Sequence, residues 1–408
     1  MFGVARGKRA IMWTILLIAM VQMPHLGLSS GANSIREHFG VPDATAQIAV
    51  TLPALLSTVS GFIFATLIRR RAVTKKTAVV AGVFLVGLTG AAALLFHSSL
   101  WHVYFYNALI GTGMGAYIPN AQSIAIDTFD GREFQMVAGI QSAFINGGGI
   151  ILSLAGGFLV SASGRWSTAY AMLLVTIPIA AVALRTLPRE KRGAPRGEGG
   201  RSRRGTPVHK NVRRYTVELL VFMIFYGVLS SNIAIHIDDY KAGDAGTAGV
   251  ALAFMMAGGV AAGFAFQKLS SALRENMGSL AHAELFAGYM LLGSFPHSKA
   301  VILAASFIVG LSLSTMVPHC IFSASRFTDP SNSATATMMI GTLAPGTGGF
   351  LSPVIMTNVT GWLFGTSTSA RFIFAALASL ALAAALFVSN AVRARRRPSS
   401  AARMSRWD

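Results

Sequence analysis

The sequence contains little cysteine and little charge. Its single cysteine, Cys320, among 408 residues excludes an internal disulfide and any zinc site built from cysteines. Charged residues make up 12% of the chain and hydrophobic residues 53%, whereas about a quarter of a typical soluble domain is charged. This composition predicts an integral membrane protein rather than a soluble enzyme.

Acidic residues are especially scarce, with 15 Asp and Glu against 34 Lys and Arg. A nucleic-acid-binding protein would gather such a basic excess on one folded face beside aromatic or polar readers. Here the basic residues lie between apolar runs, so we expect no nucleic-acid partner. The sequence also offers no nucleophile beside a base, no paired carboxylates and no cluster of metal ligands. We therefore predict no enzyme activity, no cofactor and no metal.

Apolar segments long enough to cross a membrane, about 20 residues as helix, recur along the whole chain. They predict an all-α polytopic membrane protein with twelve transmembrane helices. The first segment is too long for the apolar part of a signal peptide and has no clear cleavage site, so we expect it to stay in the bundle. The predicted segments are 10–30, 45–68, 77–96, 101–125, 136–160, 167–187, 215–237, 248–267, 278–294, 299–324, 334–358 and 370–392.

The basic residues also predict an orientation, because Lys and Arg in short loops stay on the cytoplasmic side. With the N-terminus inside, all but five of the 34 basic residues lie in cytoplasmic segments. We expect a multi-pass protein of the cytoplasmic (inner) membrane with both termini in the cytoplasm. The five basic residues assigned to outer loops are Arg36, Arg165, Lys241, Lys299 and Arg371.

A basic polar segment divides the helices into two groups of six. We predict an N-terminal six-helix bundle at 1–187, a basic cytoplasmic linker at 188–214, a C-terminal bundle at 215–392 and a basic tail at 393–408. The two bundles repeat one another: "GTGMGAYIP" from Gly111 overlies "GLSLSTMVP" from Gly310, and "GFIFATL" from Gly61 overlies "GFAFQKL" from Gly263. Such repeats are typical of transporters whose halves rock about a central site.

With this organisation, the chain resembles the major facilitator superfamily over nearly its whole length. The most specific stretches are "NALIGTGMGAYIPNAQSIAID", the following "GREFQMVAGIQSAFINGGGIILSLAGGFLV" and "GRW" at Gly164. The resemblance implies secondary transport of a small solute across the bilayer by a monomer, without ATP or a bound cofactor. Within this setting the alternate glycines Gly111, Gly113 and Gly115 predict close helix packing, not a phosphate-binding loop.

The resemblance also implies a gating loop after the second helix, although "ATLIRRRAVTKK" departs from the family pattern at Ala65, Arg69 and Ala72. Its arginines either hold carboxylates of the next cytoplasmic loop or serve only as positive-inside signals. The candidate gating residues are Arg69, Arg70, Arg71, Asp127 and Arg132.

The solute site implied by the resemblance is aromatic and rich in amides. Because the first six helices hold no carboxylate well inside the membrane, a permanent organic cation is disfavoured. A neutral or weakly anionic organic solute fits better, moved either as proton-coupled efflux of a drug or metabolite or as nutrient or organic-anion uptake. A transporter-like receptor is the alternative of another class. The candidates for solute binding or coupling are His25, Tyr106, Asn107, Asn120, Gln141, Asn146, Tyr226, Asn232 and His319.

Histidines inside the membrane leave alternatives open. His25 either takes part in proton coupling, since an unperturbed histidine titrates at about pH 6.5, or bonds a carbonyl freed by Pro24. His319 either faces the cavity or satisfies a broken backbone. Glu218 is interpreted as the structural partner of Arg214, whereas the resemblance implies that the helix of His282 and Glu284 is peripheral.

The orientation can be tested with a single cysteine at Ser202 in a protein whose Cys320 is replaced. The residue should resist a membrane-impermeant thiol reagent in intact cells and react after lysis, because we place the linker in the cytoplasm. Labelling of intact cells would reverse the predicted orientation.

Overall fold

The computed structural model describes residues 6–188, 208–328, 336 and 338–396. Helices dominate these ranges because a backbone in lipid must satisfy its hydrogen bonds within its own segment. Several helices start at a side chain that accepts a hydrogen bond from the first turn, which satisfies part of the otherwise unpaired backbone there. These capping residues are Thr74, Ser99, His209, Asp244 and Ser298.

The described part of the first half contains eight α-helices. They are α1 (Arg9–Met20), α2 (Pro24–Ser29), α3 (Ala32–Phe39), α4 (Asp43–Arg69), α5 (Lys75–Leu95), α6 (Leu100–Thr128), α7 (Gly131–Ser163) and α8 (Thr176–Thr186). A 3₁₀ segment, Trp166–Val175, leads directly into α8.

The described part of the second half contains six α-helices. They are α9 (Lys210–Asp239), α10 (Ala245–Leu273), α11 (Met277–Ser294), α12 (Lys299–Ser325), α13 (Ala344–Leu363) and α14 (Thr368–Arg396). A π-helical turn, Met339–Leu343, precedes α13. The basic linker and tail lie mostly outside the described residues.

These helices make twelve passes, six in each half. Ten stretches of the described chain are long and apolar enough to span a membrane, and one of them, Ala245–Ser294, contains both α10 and α11. The 29-residue α6 supplies the remaining pass. The all-α polytopic class predicted from the sequence is thus confirmed. We use "α3 end" for the end of the bundle that carries α3, and "terminal end" for the opposite one.

The first pass is broken at Pro24, between α1 and α2. Because the break interrupts regular helical bonding, the carbonyl oxygen of Val21 is available to another donor. The hydroxyl of Tyr117 in α6 donates to this oxygen at 2.5 Å. The buried break is therefore stabilised by a neighbouring helix.

The internal repeat appears in three dimensions as a repeated helix contact. A Cβ built on Gly111 of α6 would lie 2.6 Å from the carbonyl oxygen of Pro53 in α4. Its counterpart Gly310 of α12 would lie 1.8 Å from the carbonyl oxygen of Met255 in α10. Pro53 and Met255 are related by the same offset that relates Gly61 to Gly263. The two halves thus use one packing arrangement.

Close backbone approach explains why α6 needs glycine at alternate positions. A Cβ on Gly115 would lie 2.3 Å from the Ser57 carbonyl oxygen in α4, and one on Gly113 would lie 2.7 Å from the Gly82 carbonyl oxygen in α5. Since α6 is wedged between two helices, its glycines serve packing, as the sequence predicted.

Adjacent glycines in α7 provide a matched test of this packing. A Cβ on Gly148 would lie 2.0 Å from the Met20 carbonyl oxygen, whereas one on Gly147 meets nothing within 4 Å. Gly148→Ala should therefore destabilise the protein, at the upper end of the roughly 1–3 kcal/mol typical of overpacking. Gly147→Ala should be neutral or stabilising by up to about 1 kcal/mol, because alanine favours helix.

The measurement is the melting temperature of each purified variant in the same detergent. Equal effects of the two substitutions would contradict the close approach of α7 to α1.

Candidate gate and solute site

A buried arginine joins the two halves at the α3 end. Arg371, near the start of α14, is only 2% exposed. Its Nη2 donates to Asp43 Oδ2 of α4 at 2.7 Å and to the Thr366 carbonyl oxygen at 2.8 Å, while Nη1 donates to Asn232 Oδ1 of α9 at 3.0 Å. Removing one partner of a buried ion pair costs about 3–5 kcal/mol. The Arg371–Asp43 pair is therefore a strong contact between the halves.

Arg36 extends this contact towards the surface. It bonds Asp43 Oδ1 at 3.3 Å within its own half, and Asp239 Oδ1 at 3.0 Å and Asp238 Oδ2 at 3.2 Å in the other half. Burial disfavours the charge of Arg36, but Asp239 and Asp43 outweigh it and raise the pKa of the guanidinium. Asp43 thus lies between two arginines, one from each half.

Further from the α3 end than the ion pairs, neutral side chains also join the halves. Gln47 Nε2 of α4 donates to Asn232 Oδ1 at 2.7 Å, and Thr357 of α13 donates to Gln47 Oε1 at 2.6 Å. Gln47 and Asn232 are fully buried. We call the whole set the inter-half network: Arg36, Asp43, Gln47, Asn232, Asp238, Asp239, Thr357 and Arg371.

A second seam between the halves runs along α7 and α10. At its α3 end Ser161 donates to Asp244, and this bond together with the Thr247 backbone N–H lowers the pKa of Asp244. Further along, a Cβ on Gly157 would lie 2.9 Å from the Cα of Gly249. The two helices therefore touch backbone to backbone.

At the terminal end the charged contacts stay within one half. Lys75 pairs with Asp127, while Lys8 pairs with Asp130 at 3.3 Å and with Glu133 at 3.0 Å, and the Glu133 hydrogen bond raises the pKa of Lys8. Among the described side chains no ion pair joins the halves at this end. The described ion pairs that join the halves thus lie at the α3 end.

Comparison with known proteins identifies this arrangement. Residues 10–353 match the family described as the Major Facilitator Superfamily. The chain belongs to the Major Facilitator Superfamily. It is therefore a transporter of the secondary type and not an enzyme, which confirms the resemblance predicted from the sequence. A comparison with curated proteins gives no match.

Solved structures of transporters share the fold. A bacterial homologue of the human lysosomal transporter Spinster, in an inward-facing and occupied conformation, has a TM-score of 0.71 at 15% identity, covering 98% of this chain and 100% of the other. The POT family transporter PepTSo has a TM-score of 0.75 at 13% identity, covering 95% and 99%. The nucleoside transporter NupG has a TM-score of 0.71 at 11% identity, covering 93% and 98%. At these identities the likeness shows the fold alone.

Two of the residues predicted to bind the solute, Asn146 and Asn232, lie between the halves. Asn232 belongs to the inter-half network. Asn146 of α7 is half-buried, and its Oδ1 lies 3.7 Å from the position of a Cβ on Gly259 in α10. Asn146 is thus at the seam, midway along α7.

Three candidates in α6 are occupied by bonds within the first half. Asn107 is fully buried and donates to the Val103 carbonyl oxygen at 3.0 Å and to the Tyr170 hydroxyl at 2.8 Å. Tyr106 donates to the Phe96 carbonyl oxygen at 2.6 Å. Asn120 donates within its own helix at 2.8 Å. The donors of these side chains thus already have partners, whereas Asn107 Oδ1 is buried without a partner among the described residues.

Three further candidates for solute binding, Gln141, Tyr226 and His319, are all buried. Gln141 of α7 is buried. Tyr226 of α9 stacks on Phe222, and its buried hydroxyl has no partner among the described residues. His319 of α12 is 5% exposed and lies edge-on to Tyr215, 6.1 Å between ring centres.

His25 lies in α2, directly after Pro24. Its side chain is half-buried and makes no hydrogen bond to the described part of the chain. The Val21 carbonyl oxygen at the break is bonded by Tyr117, not by His25.

The arginines of the candidate gating loop do not form the ion pairs with the next loop that one of the two alternatives predicts. Arg69, Arg70 and Arg71 are exposed, and none makes an ion pair with a described residue. Asp127 is held instead by Lys75 of α5. The side chain of Arg132 lies outside the described residues.

Sequence reasoning missed most of the inter-half network. Arg371 was assigned to an outer loop, and Asp43 and Gln47 were not singled out, because a charge near a helix start resembles a loop charge. A signal was nevertheless present in the predicted segments. Asp43 and Arg371 each lie within two residues of the start of a predicted span, with opposite charges.

An engineered disulfide can test closure at the α3 end. A Cβ on Gly246 of α10 would lie 3.5 Å from the Cβ of Ser161 in α7, within the usual range for a disulfide. The Ser161→Cys/Gly246→Cys protein, with Cys320→Ser and a protease site in the linker, should cross-link on mild oxidation. After proteolysis the halves should migrate together on a non-reducing gel and separate after reduction.

A matched control uses the same helices at the terminal end. A Cβ on Gly139 or on Gly263 meets nothing within 4 Å. The Gly139→Cys/Gly263→Cys protein should therefore cross-link far less. Equal cross-linking of both pairs would contradict a bundle closed at one end only.

Proposed function

We propose that the protein moves a small neutral or weakly anionic organic solute across the cytoplasmic membrane by alternating access. The observation that carries this proposal is that the described ion pairs between the halves all lie at the α3 end. The uneven distribution of Lys and Arg supports an α3 end outside the cell and both termini in the cytoplasm. We also propose the division into bundles at 1–187 and 215–392, joined by a linker at 188–214 and followed by a tail at 393–408.

In this orientation the ion-paired α3 end faces away from the cytoplasm. The inter-half network closes the outer side, and a solute binds from the cytoplasmic side between the halves. Opening the outer side requires breaking the bonds of Arg371 and Arg36 to the opposite half and re-forming contacts at the terminal end. Such rocking of two repeats about a central site is the mechanism that six-plus-six transporters use.

The positions of the carboxylates support the solute class. Glu218 pairs with Arg214 at 3.8 Å, and Glu284 accepts a hydrogen bond from Thr315 at 3.4 Å, so both contact their own half. A permanent cation between the halves would lose its hydration without gaining a counter-charge from either group. A neutral or weakly anionic solute would instead use the amides at the seam, such as Asn146.

We propose proton-coupled efflux of a drug or metabolite, with His25 as a coupling residue, over uptake of a nutrient or organic anion. The support for His25 is its unbonded imidazole beside the break in the first pass, where a changing water contact would change its protonation. A receptor that binds without transport is the second candidate, and the inter-half network favours the transporter because a receptor does not need a breakable gate.

A ligand screen followed by a flux assay tests the proposal. Purified protein is screened by thermal shift against matched neutral, anionic and cationic compounds, and we expect stabilisation by neutral or anionic members only. The best compound is then followed into proteoliposomes. Flux that the Ser161–Gly246 cross-link stops and reduction restores supports alternating access. Binding without flux would favour the receptor.

The same assay under an imposed pH gradient tests His25. His25→Gln and His25→Ala should both lose gradient-driven accumulation, while Gln retains solute binding, because glutamine hydrogen-bonds but does not titrate near neutral pH. Accumulation by His25→Gln equal to that of the parent protein would assign the histidine a structural role.

A further inference from the structure

Arg371 is a buried cation whose hydrogen-bonding capacity is only partly used. Its side chain is 2% exposed. Nη1 and Nη2 have acceptors in Asn232, Asp43 and Thr366. Nε is buried and has no partner among the described residues. One donor of this guanidinium is thus enclosed and unpaired, which is costly for a charged group.

The unpaired donor lies on the edge of the guanidinium that best accepts a carboxylate. Nε and Nη2 point their N–H groups in the same direction, so a carboxylate can accept from both at once. Asp43 bonds only Nη2, because its other oxygen, Oδ1, is held by Arg36. A carboxylate free of Arg36 would bond both donors and so fit this edge better than Asp43 does.

Separation of the halves would free this edge. Asp43 would leave with α4 and keep Arg36, its partner in the same half. Asp238 and Asp239, whose side chains are 29% and 31% exposed, can be hydrated when they lose Arg36. Arg371, held by Asn232 and the Thr366 carbonyl oxygen within the second half, would be left with no carboxylate partner.

We propose that Arg371 binds the carboxylate of an organic anion, which replaces Asp43 on the Nε–Nη2 edge. On this proposal the transported solute is a monocarboxylate. The proposal rests on the proposed function, because Arg371 is freed only when the halves separate. The Nε–Nη2 edge can hold a carboxylate by two parallel hydrogen bonds, and the single positive charge of one guanidinium is balanced by a monocarboxylate but not by a phosphate dianion. Asn232 Nδ2 is bonded to Val228 and Ser231, so its Oδ1 stays directed at Arg371 and holds the edge in place.

The experiment removes the internal competitor. Asp43→Asn leaves Arg371 without its counter-charge, so this variant should melt at a lower temperature than the wild type. Sodium benzoate, a carboxylate on an apolar ring, should restore the melting temperature by several degrees, since a ligand that binds only the folded state stabilises it. Benzamide at the same concentration, and sodium chloride at the same ionic strength, should restore much less.

Three further variants assign the effect to Arg371. In the Asp43→Asn background, Arg371→Lys keeps the charge but loses the two-donor edge, and Arg371→Gln loses both, so both should abolish the benzoate preference. Lys299→Gln removes an exposed cation at the same end and should leave the preference intact. If Asp43→Asn does not yield folded protein, wild type should show the same contrast with Arg371→Lys at higher benzoate concentrations.

Several outcomes would overturn the proposal. Equal rescue by chloride would show a site for any small anion, and equal rescue by benzamide would show binding through the ring. If benzoate still rescues the Asp43→Asn protein after Arg371→Gln, benzoate binds elsewhere. If benzoate does not rescue the Asp43→Asn protein at all, another group, such as Asp239, neutralises Arg371. Because this assay involves no flux, it can fail while proteoliposomes still transport, or succeed where the proposed transport fails.

Discussion

Helices in a bilayer must associate without a hydrophobic driving force between them, because lipid tails are as apolar as the side chains they would replace. This protein meets that constraint by bringing backbones together at glycine. Gly115 of α6 lies against the carbonyl of Ser57, and Gly148 of α7 lies against Met20. Contacts of this kind hold each half together, and they fix where its polar side chains lie.

The contact between the halves has a different chemistry from the contacts within them. It includes close backbone approaches, at Gly157 and Gly249 and at Gly346, and at the α3 end it adds ion pairs and amide hydrogen bonds. Close apolar packing offers no alternative partner when it separates, whereas charged groups near the end of a bundle can exchange one another for water. A polar seam beside rigid glycine-packed halves is therefore suited to repeated opening.

Sequence reasoning recovered the properties that depend on local composition. The twelve passes follow from apolar length, the repeat from matched motifs, and the packing of Gly111, Gly113 and Gly115 from small residues in an apolar helix. It did not recover which face of a helix a polar residue occupies. The sequence predicts that both Asn107 and Asn232 line the solute site. In the structure Asn107 bonds Tyr170 within its own half, whereas Asn232 bonds Gln47 of the opposite half. That distinction depends on long-range pairing, which a single sequence does not display.

Asp43 connects these observations, since it is the one carboxylate of the inter-half network that contacts an arginine from each half. Its bond to Arg36 holds α3 to α4, and its bond to Arg371 holds α4 to α14. Because one carboxylate serves both arginines, it satisfies Arg371 incompletely and leaves Nε unpaired. The contact between the halves is thus incompletely hydrogen-bonded at the point where the halves must separate. In the second half, the same arginine that closes this end keeps an unused donor that an arriving carboxylate would satisfy.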